Sequence, residues 1–143
     1  MSAALPHILL VDDDAADAKL TRWALSQDGP PCCVAHVFDG AEALAFLRRQ
    51  PPFEDAARPD LVLLDLNMPR MDGRQVLAAI KSDEGLKTIP VVVLTSSAMD
   101  RDVNDSYLLG ANSVITKPMD IDTFLDAARS LKTYWFSSVR LPQ

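Results

Sequence analysis

The chain has 143 residues, is 48% hydrophobic and 24% charged, and carries a formal net charge of −6. That length and balance suit one soluble domain with a real core, and the acidity argues against nucleic acid or an anionic membrane as its main partner. No apolar run approaches the roughly 20 residues of a membrane-spanning helix. The start, Met-Ser-Ala-Ala-Leu-Pro-His, lacks the basic region of a secretory signal, so the cytoplasm is the expected location.

Short β-branched runs alternate with helical stretches about every 25–30 residues, the rhythm of successive βαβ units on a parallel sheet. A first strand over 7–12 is followed by a helix over 15–26, with Ala16, Leu20, Trp23 and Ala24 on its inward face, stopped by Asp28-Gly29-Pro30-Pro31. A second strand over 32–38 ends at Phe38-Asp39-Gly40, and a helix over 41–49 turns Leu44 and Leu47 inward. Cys32 and Cys33 are adjacent, and no third cysteine exists to pair with either. Only His7 and His36 could join them on a metal, so they read as two small apolar residues opening a strand.

The polar, proline-bearing stretch from Gln50 to Pro59 reads as a surface loop, because a buried strand over 61–65 follows at once. The third helix begins near Gly73 and uses Val76, Leu77 and Ile80. Ile89-Pro90 leads into a fourth strand over 91–95. A helix over 100–109 stops at Gly110, a natural left-handed cap, and a fifth strand spans 113–116. The last helix opens after Pro118 with Asp120 as N-cap, and its inward stripe is Ile121, Phe124, Leu125, Ala128, Leu131 and Trp135. Tyr134, Phe136 and Val139 fall off that stripe, where aromatics would cover either the protein's own core edge or an identical partner.

Polar residues punctuate four of these strands at their ends: Asp12 and Asp13, Asp65, Thr95, and Lys117. Strands one, three and four are almost wholly apolar, so they belong in the middle of a sheet covered on both faces. In such a sheet, ligands bind beyond the carboxyl ends of the strands, where strand order reverses. If strand one lies between strands two and three, Asp12, Asp13 and Asp65 meet at that reversal. Like charges 4 Å apart cost about 4 kcal/mol at an effective dielectric near 20. One lysine cannot balance three acids, so a divalent cation is expected, and an all-oxygen donor set favours Mg²⁺ or Mn²⁺. Thr95 and Lys117 would hold the oxygens of a phosphoryl group. A lone Asp, Thr or Lys at a strand end is usually an ordinary turn residue; all of them together, in this order, are not a coincidence.

Carrying those residues, the chain resembles the response-regulator receiver domains of two-component signalling, over about residues 7–136. The resemblance rests on Ile8-Leu9-Leu10-Val11-Asp12-Asp13, on Leu64-Asp65-Leu66-Asn67-Met68-Pro69 with Met71-Asp72-Gly73, on Val93-Leu94-Thr95-Ser96, and on Gly110-Ala111-Asn112 with Thr116-Lys117-Pro118. It implies a flavodoxin-like, doubly wound (βα)5 sandwich with strand order 2-1-3-4-5, flanked by tails over 1–6 and 137–143. It implies that Asp65 is the phosphoacceptor for a phosphohistidine on a sensor histidine kinase. Asp13, Asp65 and the main-chain carbonyl of Asn67 would coordinate Mg²⁺, with Asp12 acting through water. Asp14 lies outside the matched pair. Thr95 and Lys117 would contact the phosphoryl oxygens, and the Lys117–Pro118 bond is typically cis in the family.

The chain departs from the family pattern at Val114, where an aromatic switch residue is common. The loop after the second helix, Ile89 to Ser97, and Tyr134-Trp135-Phe136 are similar to stand-alone regulators of bacterial phytochrome-type light sensors. Beyond Lys117 there is room for one helix and a tail, so output is expected through binding. A homodimer through helix four, strand five and helix five, or through Tyr134, Trp135 and Phe136, is the favoured form, with no DNA-binding module and no membrane contact. Two other functions are weighed. A haloacid-dehalogenase-like Mg²⁺ phosphohydrolase would need a second acid where Asn67 stands and an acidic pair late in the chain. A phosphorylation-independent interaction module would not need the site intact. A flavodoxin-like cofactor binder lacks a phosphate loop after strand one.

Overall fold

Each of the five apolar runs becomes one strand of a single parallel sheet in the computed structural model, which describes residues 5–27, 29–66, 73–95, 100–117, 120–138 and 141–142. The strands are β1 (His7–Val11), β2 (Cys33–Val37), β3 (Leu61–Asp65), β4 (Val91–Thr95) and β5 (Ser113–Thr116). The helices are α1 (Ala15–Leu25), α2 (Gly40–Leu47), α3 (Gly73–Ser82), α4 (Asp100–Leu108) and α5 (Ile121–Thr133), which a π-helical turn, Tyr134–Ser138, extends. The order is β2-β1-β3-β4-β5, so the reversal falls between β1 and β3 as the fold rule requires.

Burial explains that order. Every residue of β3 and β4 is buried, and β1 is buried from Ile8 onward, whereas β2 and β5 are half-exposed edges. Alternate side chains of the central strands feed two separate cores. Leu9, Val11, Val62, Leu64, Val91 and Val93 pack with α2 and α3 on one face. Ile8, Leu10, Leu61, Leu63, Val92 and Leu94 pack with α1 and α5 on the other.

Aspartate side chains start three helices: Asp14 accepts from the Ala16 and Asp17 N–H groups, Asp39 from Glu42, and Asp120 from Thr123. Gly110, with φ +106, closes α4 in the left-handed region expected of it. Gly73 has a different reason to be glycine. A Cβ there would lie 2.5 Å from the Asp65 carbonyl oxygen and 2.7 Å from Leu66 Cα, so the start of α3 presses on the end of β3.

Two expectations need correction, one on α1 and one on α5. On α1 the buried residues are Ala18, Thr21, Ala24 and Leu25, while Ala16, Leu20 and Trp23 face outward. The inward face is held by a threonine whose hydroxyl donates to the Asp17 carbonyl at 3.0 Å, and that polar residue hid the true stripe. On α5, Ile121 is exposed and the stripe begins at Phe124. Lys132 is completely buried: its ammonium donates to the Leu25 carbonyl at 2.7 Å and the Gln27 carbonyl at 3.2 Å, satisfying the end of α1. Phe136, in the π turn, packs against the α1–α5 core beside Trp135.

Candidate phosphoacceptor and cation site

The carboxyl ends of β1, β3, β4 and β5 converge. Asp12 follows β1 and is fully buried; its N–H donates to the Val37 carbonyl at 3.1 Å, so β2 fixes its backbone. Asp65 is the last residue of β3 and stands in register with Leu94 on β4. Thr95, fully buried, ends β4 in register with Thr116. Lys117 follows β5, and its N–H donates to the Thr95 carbonyl at 2.7 Å.

The side chains meet as the backbone suggests. Asp12, Asp13 and Asp65 each present one carboxylate oxygen within 4.8 Å of the others. The Lys117 ammonium reaches into the group, 3.7 Å from Asp12 Oδ2 and 3.8 Å from Asp65 Oδ2. These are ion-pair distances rather than hydrogen bonds, so the lysine balances the group without binding any single acid tightly. Asp12 Oδ1 accepts the Asp14 N–H at 3.0 Å, but Asp12 Oδ2 is buried with no hydrogen-bond partner among the described residues. An orphaned buried carboxylate oxygen is costly unless a cation completes it. With a purely oxygen donor set around it, the pocket fits Mg²⁺ or Mn²⁺.

One residue joins the site unannounced. Asp17, in the first turn of α1, places Oδ2 3.8 Å from the Lys117 ammonium. An acid in a first turn ordinarily reads as a partner for the helix dipole, which concealed this second role. Asp14, next in the acidic run, turns away to cap α1. Asn67, the Asn67 to Asp72 motif, Ser96, Ser97 and the Lys117–Pro118 bond lie outside the described residues. A cleft of about 110 Å³ opens beside Lys117, lined also by Asp17, Leu20, Thr21, Ile121 and Phe124. Leu20 and Ile121, expected in the core, form part of its wall.

The model of the response regulator receiver domain matches residues 8–129. The chain belongs to the response-regulator receiver family. Among curated proteins it is 42% identical over 135 residues to response regulator Rcp1 of Synechocystis sp., covering 94% of this chain and 92% of Rcp1. Among solved structures it is similar to the phosphorylated cyanobacterial phytochrome response regulator RcpA, with 44% identity, 98% and 100% coverage and a TM-score of 0.91. It is also similar to the Mn²⁺-bound form of Rcp1, at 40% identity, 96% and 99% coverage and a TM-score of 0.88. The receiver fold and the kinship with phytochrome-associated regulators are therefore established for this chain. No described helix is long and apolar enough to cross a membrane.

Proposed function

We propose that Asp65 of this receiver accepts a phosphoryl group from the phosphohistidine of a sensor histidine kinase of the bacteriophytochrome type, with Mg²⁺ in the acidic pocket. The observation that carries the reading is the shared pocket: Asp65 Oδ2 lies 3.8 Å from Lys117 Nζ within a cluster that includes Asp12 and Asp13. One Asp65 oxygen attacks phosphorus, the O–P bond forms as the P–N bond breaks, and the imidazole leaves with the electron pair. Lys117 follows the charge onto the phosphoryl oxygens, and Thr95, at the neighbouring strand tip, offers a hydroxyl to another. Asp12 and Asp13, with Asp65 and the Asn67 carbonyl, would hold the cation, which supplies charge neutralisation and a fixed seat for one phosphoryl oxygen. The domain thus assists its own phosphorylation and dephosphorylation without turning over a separate substrate.

Residues 7–136 form the receiver unit, with tails over 1–6 and 137–143, working in the cytoplasm where the phosphohistidine is made. Output runs through contacts with other proteins or through a homodimer. Exposed Tyr107, Leu108 and Tyr134 supply apolar area for such contacts on α4 and at the end of α5. The test is direct. Acetyl phosphate with Mg²⁺ should add one phosphoryl group to the wild type, read by intact mass, and none to Asp65→Asn. Equal labelling of the two proteins ends the proposal.

A further inference from the structure

β2 contributes no acid to the pocket, yet one of its side chains is bonded to the pocket's backbone. His36 Nε2 lies 2.8 Å from the main-chain oxygen of Asp12. A carbonyl only accepts, so Nε2 carries the proton and donates. In the parallel β1–β2 ladder, Val11 pairs with Val37, and the Asp12 N–H continues the pattern to the Val37 carbonyl. The next rung would bring a β2 backbone N–H to the Asp12 carbonyl. But β2 ends at Val37, and Asp39 is already the N-cap of α2. The register assigns that rung to the Asp39 N–H, and no such bond is made; the Phe38 N–H, on the other side of the strand, is held by Glu42 Oε1 at 2.7 Å. The imidazole of His36 stands in for the missing rung.

The imidazole is itself held. The Phe38 ring lies against it, with centroids 4.3 Å apart and planes tilted by 49°. Phe38 is fixed in turn by the start of α2, where Glu42 Oε1 holds its N–H and Asp39 Oδ1 accepts the Glu42 N–H at 2.8 Å. A continuous set of contacts therefore runs from the α2 cap through Phe38 and His36 to the peptide of Asp12. That peptide is tied on both sides, and Asp12 Oδ1 is tied to Asp14, so the remaining oxygen, Oδ2, is aimed at the acids and Lys117.

We propose that His36 is a positioning residue for the cation pocket: its Nε2–H preorganises Asp12, and through the turn that follows it Asp13, for binding a divalent ion. The inference rests on the reading that a cation binds here. His36 touches neither the cation nor the phosphoryl group. Partners that orient ligands from behind typically change metal affinity by about 10–100-fold, and a bond to the ligand's backbone belongs at the low end of that range.

The experiment measures Mn²⁺ binding by calorimetry and by electron paramagnetic resonance, with the unfolding midpoint of the metal-free protein recorded alongside. His36→Phe keeps a ring against Phe38 and removes the donor. It should weaken Mn²⁺ binding by about tenfold. The Mg²⁺ concentration that half-saturates acetyl-phosphate labelling should rise equally, while the rate at saturation is kept. His36→Gln, whose amide N–H can reach the carbonyl, should recover binding to within about threefold of wild type, whereas His36→Asn, too short to reach, should not. The Gln–Asn contrast carries the test if the phenylalanine variant fails to fold. Wild-type affinity in His36→Phe, or equal losses in His36→Gln and His36→Asn, overturns the role of the histidine alone. A wild type that binds no Mn²⁺ overturns the cation pocket, and with it the inference.

Discussion

Lys117 donates its backbone N–H to the carbonyl of Thr95 at 2.7 Å, so the residues whose ammonium and hydroxyl are proposed to hold one phosphoryl group are joined by a single backbone bond. Movement at the end of β4 is transmitted directly to the root of the lysine. Because that bond is made by the main chain, replacing the lysine side chain leaves the geometry of Thr95 intact and isolates the effect of the charge.

Lys117→Met should therefore destabilise the metal-free protein by about 1–3 kcal/mol, less than the ~3–5 kcal/mol for breaking a fully buried pair. The discount reflects the separations of 3.7–3.8 Å and a lysine side chain that keeps 18% exposure. Saturating Mg²⁺ should narrow the difference, because the cation takes over the neutralising charge. Urea unfolding with and without Mg²⁺ reads both effects.

Asp12→Asn should behave in the opposite sense. It removes one of the clustered charges and replaces a buried carboxylate whose Oδ2 has no hydrogen-bond partner among the described residues with a neutral amide, so the metal-free fold should gain stability. The wild type should be stabilised by Mg²⁺, by about 2.7 kcal/mol at a hundredfold excess over the dissociation constant. The variant should lose that response. Thermal unfolding across a Mg²⁺ series separates the two proteins.

Gly73→Ala places a methyl group 2.5 Å from the Asp65 carbonyl oxygen and 2.9 Å from that of Leu66. Both neighbours are backbone and cannot swing aside. The end of β3 must shift, at a cost of about 1–3 kcal/mol for a forced insertion, and Asp65 shifts with it. Unfolding curves should show the loss, and acetyl-phosphate labelling should slow although no acid has been altered.

The aromatic end of α5 should divide into two behaviours. Phe136→Ala removes a half-buried ring from the α1–α5 core and should cost about 1–3 kcal/mol, short of the ~3–5 kcal/mol of a fully buried one. Tyr134 is 55% exposed, so Tyr134→Ala should leave unfolding nearly unchanged. If the aromatic segment joins two copies, the tyrosine variant shifts the monomer–dimer balance in sedimentation. If it does not, sedimentation stays the same.

Acid should loosen the start of α5 at a lower pH than an ordinary cap allows. The Thr123 hydroxyl and N–H, at 2.6 and 2.8 Å, hold the exposed Asp120 carboxyl below the usual aspartate value of 3.8. A depressed carboxyl contributes stability that is complete above the unfolded value and is lost as pH falls through the folded one. Thr123→Val should move the folded value back up and reduce the acid dependence of stability below about pH 4. Chemical denaturation from pH 3 to pH 6, roughly the range bracketing the usual carboxylate values, checks it.

The strands and their order were legible because the central ones are nearly pure apolar runs, and the convergence of Asp12, Asp13, Asp65 and Lys117 followed from the reversal between β1 and β3. What escaped the sequence escaped for local reasons. Thr21 is buried because its hydroxyl finds a carbonyl within its own helix, so the inward face of α1 does not read as apolar. Lys132 is buried because the carbonyls at the end of α1 accept its ammonium, a partnership 107 residues distant in sequence. Trp135 and Phe136 both pack on the core from a π-helical turn, whose spacing a 3.6-residue period does not follow. His36 carried no motif at all; its meaning lies in where β2 stops.

The adjacent thiols of β2 lie at the opposite end of the sheet from the acids. Cys33 is exposed and in register with His7, four residues before Val37, which puts it about 13 Å along the strand from the Asp12 level. Partial burial pushes the Cys32 thiol above its usual value and leaves it less reactive. A maleimide fluorophore should therefore attach selectively at Cys33, giving this regulator a native optical tag whose chemistry stays clear of the pocket it would report on.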